Sequence, residues 1–248
     1  MKISVILPVR NRSNKRLENC LRSLAWQDLG PDNYEVILSD FGSSKSESQK
    51  LALMATTFGA RIVRTETNEI WNRSRALNHG IRAAKGQYIF CTDIDMLFEA
   101  NFLSTLLATQ SSAQDQALVV CRCRDLPEEI PEQDWTQSDY ASLKQKAPFR
   151  EKLGTGACQM ALKSAFEAIR GYDEGFKFWG MEDNDMKFRM TSGYGLELVW
   201  VHDKTSMLHQ WHPSDRGKKP VSKFLNDLRF HISKYTTVKN PKSWGGEP

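Results

Sequence analysis

Ile3-Ser4-Val5-Ile6-Leu7-Pro8-Val9-Arg10-Asn11-Arg12 is the stretch on which the fold turns. Residues 3–7 are apolar apart from Ser4 and rich in β-branched Ile and Val, and such side chains suit a pleated, packed surface. The run is too short and lacks the small-residue cleavage site of a signal peptide, so it reads as a first strand. A helix follows: Leu17, Cys20, Leu21 and Leu24 keep the i, i+3, i+4, i+7 spacing over residues 14–26, with Ser13 or Asn14 as its cap. Glu35–Leu38 is a second strand, closed by Asp40-Phe41-Gly42-Ser43-Ser44. Residues 45–58 read as helix, 61–64 as strand, and 73–84 as helix with Leu77, Gly80, Ile81 and Ala84 on one face. Gln87–Thr92 is a fourth strand that ends at Asp93-Ile94-Asp95. This alternation predicts an α/β fold with a mostly parallel central sheet and helices on both faces.

The second half is less regular. Leu118–Arg122 and Leu196–Val201 read as strands, and residues 164–169 and 183–190 as short helices. Residues 124–150 hold Pro127, Pro131, Pro148 and many charges, and read mainly as an excursion. Val221, Phe224, Leu225, Leu228 and Ile232 stripe a helix over 220–234 that is expected to pack on the core. Its lysines offer peripheral contact with an anionic membrane as the alternative. Residues 245–248 read as a tail.

The 248 residues carry 34 basic and 30 acidic side chains, a net charge of +4 that is too mild to argue for nucleic acid. With 40% hydrophobic residues the chain can bury a sizeable core, which excludes wholesale disorder. No apolar run approaches the roughly 18 residues of a spanning helix. Cys20, Cys91, Cys121, Cys123 and Cys158 are odd in number and scattered through apolar segments, so they are expected to be buried, reduced thiols. The expected location is the cytoplasm, with the inner face of the membrane as the alternative.

In open parallel sheets, ligands bind beyond the carboxyl ends of the strands. Arg10-Asn11-Arg12, Asp40, Asp93 and Asp95 all lie just there. Asp93 and Asp95 share a face of an extended segment, where two carboxylates repel unless a cation or hydrogen bonds offset them. Hard oxygen ligands of this kind suit Mg²⁺ or Mn²⁺, although Asp also favours ordinary loop starts. Phe178-Trp179-Gly180-Met181-Glu182-Asp183-Asn184-Asp185 sets a flat indole beside several acids, a pairing that suits a sugar. Either Glu182 or Asp183 could accept a proton from an attacking hydroxyl, while acids also simply favour a helix start. His209 and His212, three residues apart, offer imidazole to a metal. Arg216, Lys218 and Lys219 could neutralise phosphate, and the stretch 209–219 reads as a lid over bound donor.

Together these residues resemble a GT-A-fold nucleotide-sugar glycosyltransferase of the family 2 type. Several motifs are similar to those of animal β-1,4-galactosyltransferases and bacterial chondroitin-polymerase-like enzymes. Leu7-Pro8-Val9-Arg10-Asn11-Arg12 resembles their opening segment. Trp71-Asn72-Arg73 with Leu77-Asn78 and Gly80 resembles an aromatic-N-R-x-x-x-L-N-x-G segment, and Asp93-Ile94-Asp95 the D-x-D metal motif. Gly154-Thr155-Gly156, Gly171-Tyr172 and Phe178 through Asp185 resemble the G-G, G-F/Y and W-G-x-E-D-x-D region. The matches keep the family's order over residues 4–212.

The resemblance implies a metal-dependent inverting transferase that moves a hexose or N-acetylhexosamine, with galactose or N-acetylgalactosamine favoured over glucose and N-acetylglucosamine, from a UDP-sugar to a saccharide or other hydroxyl acceptor, in bacterial glycan synthesis. It implies a catalytic domain over 1–212, with a nucleotide half at 1–98 and an acceptor half at 99–212, and a C-terminal lid, helix and tail over 213–248. Pro8, Arg10 and Arg12 would border the nucleotide, Asp40 the uracil and ribose, and Arg73 the diphosphate. Asp95 would hold Mn²⁺ or Mg²⁺ together with His209 or His212, and Asp93 would face ribose or metal. Asp183 would be the base, Glu182 would orient the acceptor, and Trp179 and Met181 would border the acceptor pocket. Two departures stand out: Ser39 and Phe41 break the acid-acid-G-S signature around Asp40, and Met181 replaces a glycine before the Glu-Asp pair. The alternatives are a retaining transferase on the same fold, a nucleotidyltransferase, whose Gly-rich phosphate loop is absent after the first strand, and a non-catalytic nucleotide-sugar-binding module.

Overall fold

The computed structural model describes residues 1–178, 180–213 and 220–246. Strands β1 (Ile3–Val9), β2 (Tyr34–Phe41), β3 (Arg61–Thr65) and β4 (Tyr88–Cys91) alternate with helices α1 (Lys15–Ala25), α2 (Lys45–Thr57) and α3 (Arg73–Ala83). The order then runs β5 (Met96–Phe98), α4 (Phe102–Ser112), β6 (Ala117–Val120), β7 (Arg124–Asp125), α5 (Tyr140–Lys146), β8 (Gln159–Leu162) and α6 (Lys163–Ala168). It closes with α7 (Glu182–Phe188), β9 (Glu197–Trp200), β10 (Met207–His209) and α8 (Pro220–Ser233). Seven strands make one sheet in the order β3-β2-β1-β4-β8-β6-β9. β1 pairs in parallel with β2 and β4, and only β8 runs against its neighbours. The mostly parallel α/β fold is therefore as expected, with β8 and α4 as additions.

Alternation along β1 sends Ile3, Val5, Leu7 and Val9 to one face and Ile6 to the other. The first face receives Leu17, Cys20, Leu21 and Leu24 of α1 and Phe102, Leu103 and Leu106 of α4. The second receives Leu77 and Ile81 of α3, Phe166 of α6 and Met186 of α7. Asn14, not Ser13, caps α1: its Oδ1 accepts from Leu17 N at 3.2 Å, satisfying one of the donors a helix start leaves free. All five cysteines are free and buried.

Residues 124–150 are not a plain excursion. β5, β10 and β7 form a second sheet, and Leu97, Leu126, Trp135, Tyr140, Leu143, Ala147 and Leu208 make a third apolar cluster beneath it. Residues 244–246 do not trail: Trp244 is buried in the second cluster, with Arg82 5.5 Å from its ring, and Gly245 N donates to Glu174 Oε1 at 2.7 Å.

The apolar stripe of α8 does not pack on the core. Val221, Phe224, Leu225, Leu228 and Ile232 are all exposed, and Asn226 is the buried residue of the helix. Polar contacts hold the helix instead. Asn226 Nδ2 donates to Lys177 O at 2.9 Å, and Arg229 forks onto Asp173 at 2.7 and 2.8 Å. Behind them Asp185 is fully buried between Arg189, at 2.8 Å, and Lys239. No helix among the described residues is long and apolar enough to cross a membrane.

Candidate active site

A cleft of about 810 Å³ opens at the carboxyl ends of β1 and β4. Its walls include Pro8, Arg10, Arg12, Arg73, Asp93, Asp95, Glu182, Asp183, His209 and His212. The chain turns sharply after β1, where Asn11 has φ +51°. Asn11 ties this turn to the one after β2: its N–H donates to Ser43 Oγ, and its Oδ1 accepts from Ser44 N, both at 2.8 Å. Arg10 donates to Glu69 O at 2.5 Å.

The small sheet builds a cluster of metal-ligating groups. β10 lies between β5 and β7, and its register sets His209 beside Met96 on one side and Asp125 on the other. His209 thereby stands one residue from Asp95. His209 Nδ1 lies 3.2 Å from Asp125 Oδ1, and its Nε2 lies 3.9 Å from Asp95 Oδ2. His212 Nδ1 donates to Pro213 O at 2.9 Å, and its Nε2 lies 3.1 Å from Asp95 Oδ2. Both rings spend Nδ1–H on an acceptor and turn Nε2 to the same carboxylate, the arrangement that fixes the tautomer of a metal-ligating histidine.

One ligand atom from each of Asp95, His209 and His212 lies within 4.8 Å of the others. Asp95 Oδ1 is buried without a hydrogen-bond partner, a costly state that a cation would relieve. Burial works to raise the Asp95 carboxyl, but the His212 hydrogen bond and the two imidazoles hold it below its ordinary value. One carboxylate with two imidazoles fits Mn²⁺ better than Mg²⁺, which keeps to oxygen ligands. The two histidines thus converge on one point rather than compete.

Arg73 organises the other wall. It opens α3 behind the cap Asn72, whose Nδ2 donates to Glu174 O at 2.8 Å. Its guanidinium donates to Asp93 Oδ1 from Nε at 3.0 Å and Nη2 at 2.8 Å, to Asp183 Oδ1 at 2.6 Å and to Gly156 O at 3.0 Å. Burial opposes its charge, yet Asp183 and Asp93 keep the guanidinium firmly protonated. Burial also raises Asp93, against the pull of Arg73. Glu182 is nearly buried at 7% exposure, and burial together with the adjacent Asp183 pushes it up to about 7. The chain reaches this pair through left-handed residues, Phe178 at φ +66° and Met181 at φ +73°, which cost of order 1–3 kcal/mol each. Gly156 is needed for space: a methyl there would overlap Asp183 Oδ2.

Asp40 and Met181 are not among the cleft walls. The Asp40 carboxylate is buried, bound by Arg64 and by Ser43 N at 3.0 Å, so it holds the turn after β2. Met181 Sδ accepts from Asn184 Nδ2 at 3.7 Å. Trp179 and residues 214–219, with Arg216, Lys218, Lys219 and most of the expected lid, lie outside the described residues. Sequence reasoning missed Asp125 and Arg150. Arg150 clamps Asp125 at 2.6 Å from Nη2, so Asp125 is positioned from both sides, by Arg150 and His209. The signal for Asp125 was its register against His209, which becomes visible only once β7 and β10 pair.

Asp125→Asn is expected to weaken Mn²⁺ binding about 10–100-fold, because the ring it orients would lose its fixed tautomer. Calorimetric Mn²⁺ titration in the presence of UDP checks this. Unchanged affinity would leave Asp125 with a purely structural role.

A family described as glycosyl transferase family 2 matches residues 4–170, and the N-terminal domain of galactosyltransferase matches residues 139–212. The chain is 23% identical over 273 residues to validoxylamine A glucosyltransferase of Streptomyces hygroscopicus subsp. limoneus, which spans 98% of this chain and 58% of that protein. Among solved structures, S. aureus TarS in complex with UDP-GlcNAc superposes with a TM-score of 0.68 at 15% identity, over 99% of this chain and 69% of that one. GalNAc-T7 with UDP, GalNAc and Mn²⁺ gives 0.67 at 18%, over 92% of this chain and 47% of that one. These likenesses confirm the fold as that of GT-A glycosyltransferases.

Proposed function

The chain belongs to glycosyl transferase family 2, and from that premise we propose that it moves a hexose or N-acetylhexosamine from a UDP-sugar to an acceptor hydroxyl, with a divalent metal and with inversion. The observation that carries this reading is one cleft with two separate acidic groupings. Asp95 with His209 and His212 forms one, and Asp183 with Glu182 the other. UDP and Mn²⁺ in the structural relative GalNAc-T7 support the donor and the metal. The galactosyltransferase match over 139–212 favours galactose or N-acetylgalactosamine. Bacterial glycan synthesis is the proposed setting.

In this reading Asp95, His209 and His212 would hold the metal, whose chemistry there would be charge neutralisation of the leaving diphosphate. Pro8, Arg10 and Arg12 border the nucleotide, and Asp93 faces it from the end of β4. Asp183 Oδ1 is held by Arg73, and its carboxylate takes the proton of the acceptor hydroxyl. That hydroxyl attacks the anomeric carbon from the face opposite the leaving diphosphate, so an α-linked donor gives a β-glycoside without a covalent intermediate. Glu182, holding its proton more tightly than an ordinary carboxyl, orients the acceptor, with Met181 and Trp179 nearby in sequence.

The test is nucleotide release from UDP-, GDP- and dTDP-sugars without acceptor, with Mn²⁺ and with EDTA. Slow release from one or two UDP-sugars, lost in EDTA and restored by Mn²⁺, is expected. Release unaffected by EDTA would overturn the metal assignment; with a hydroxyl acceptor added, an α-linked glycoside by NMR would overturn inversion.

A further inference from the structure

Helix α7 carries Asp183 but cannot fix its place alone. It spans 7 residues, and Met181 stands at its N-cap in the left-handed region without a side-chain cap bond. A helix this short is marginal by itself, so the position of Asp183 must come from tertiary contacts. Arg73 supplies one: it donates to Asp183 Oδ1 at 2.6 Å and to Gly156 O at 3.0 Å. That holds the carboxylate but not the backbone that bears it.

Gln159 supplies the other contact. It opens β8, where its register partner is Cys91 at the end of β4, and it is fully buried. Its Nε2 donates to Asp183 O at 3.0 Å and to Thr155 Oγ1 at 3.3 Å. Arg73 and Gln159 therefore bridge the same two segments, residues 155–156 and the first turn of α7. With both N–H groups committed on that side, the amide oxygen faces the opposite way, where it accepts from the Tyr172 hydroxyl at 2.6 Å. Tyr172 is fully buried too, and its backbone is locked to one side chain: its N–H donates to Asn78 Oδ1 at 2.7 Å, and Asn78 Nδ2 donates to its carbonyl at 2.8 Å. Burial pushes the phenol well above its ordinary value, so it stays a donor. A reversed amide would set its oxygen against Asp183 O. The Tyr172 hydroxyl thus decides which way the amide faces. A buried amide is costly to desolvate, and leucine would fill nearly the same space without that cost. What the amide adds is a fixed geometry.

We infer that Gln159 is a positioning residue for the transfer reaction, fixing the backbone of Asp183 against residues 155–156, with Tyr172 setting the direction of its amide. The inference rests on Asp183 being the base. A base must stand within hydrogen-bond reach of the hydroxyl it deprotonates, and a misplacement of about 1 Å costs roughly 10²-fold in rate.

UDP release by the full chain from UDP-galactose and UDP-N-acetylgalactosamine with Mn²⁺ tests this, water standing in for the acceptor hydroxyl. Gln159→Leu should lower kcat roughly 10–100-fold, while the calorimetric affinity for UDP with Mn²⁺ stays unchanged. Tyr172→Phe, which removes one oxygen, should lower kcat about fivefold with the same unchanged affinity. The double variant separates positioning from stability. Gln159→Leu takes the acceptor away from the Tyr172 hydroxyl, so adding Tyr172→Phe should raise the melting temperature again without restoring turnover. Turnover that recovers together with stability would reduce Gln159 to a packing role and overturn the inference. So would wild-type kcat in both single variants while Asp183→Asn loses turnover. Wild-type turnover in Asp183→Asn would instead remove the base, and the inference with it.

Discussion

Asp183→Asn is expected to lower kcat by about 10²–10⁴ while UDP–Mn²⁺ binding survives. Asparagine keeps the size of the side chain and an oxygen for Arg73, which now sits 2.6 Å from Asp183 Oδ1. What it loses is the ability to take a proton. The same change at Glu182 separates the two acids. Glu182 is pushed up to about 7 by burial and by its neighbour Asp183. With Asp183 as the base, Glu182→Gln, which keeps the side chain's size and a carbonyl oxygen, should act mainly on acceptor KM. Steady-state rates and UDP calorimetry on both variants decide. Near-wild-type turnover in Asp183→Asn, with a large kcat loss in Glu182→Gln, would reverse the roles.

Asp95→Ala is expected to abolish Mn²⁺-dependent UDP binding. Asp95 is the group on which both imidazoles converge, with His212 Nε2 at 3.1 Å and His209 Nε2 at 3.9 Å. Removing it leaves two imidazoles and no anionic ligand, so the site loses the negative charge that holds a divalent cation. The variant should still fold, because the cost of the unpartnered Asp95 Oδ1 is removed with the side chain. Calorimetry with UDP and Mn²⁺ together checks it. Wild-type heats in the variant would move the metal elsewhere, with Asp93 as the next carboxylate along the chain.

The long elements were legible because periodicity is a local property. α1 and α3 each show a full apolar stripe, and β1, β2 and β4 are apolar runs bounded by turn residues. Their carboxyl ends pointed to Arg10, Arg12, Asp93 and Asp95, and the cleft is there. α4 was not legible, because Thr109 and Gln110 are buried with Phe102 and Leu106 and blur its stripe. β5, β7 and β10 have two or three residues each, too short to show any period.

By itself, then, the sequence determined the α/β sheet, the strand ends that face a ligand, and the acids and histidines that gather there. Which groups meet was decided by the tertiary structure. Pairing of β10 between β5 and β7 joins His209 to Asp95 and Asp125, and packing of α3 carries Arg73 across to Asp93 and Asp183. It also decided which side of α8 is wet. An apolar stripe predicts that a helix buries a face, but α8 is seated by Asn226 on the Lys177 backbone and by Arg229 on buried Asp173, and its stripe lies outside. Hydrophobic patterning acts residue by residue along the chain, whereas a buried carboxylate must find its cation wherever in the sequence it lies.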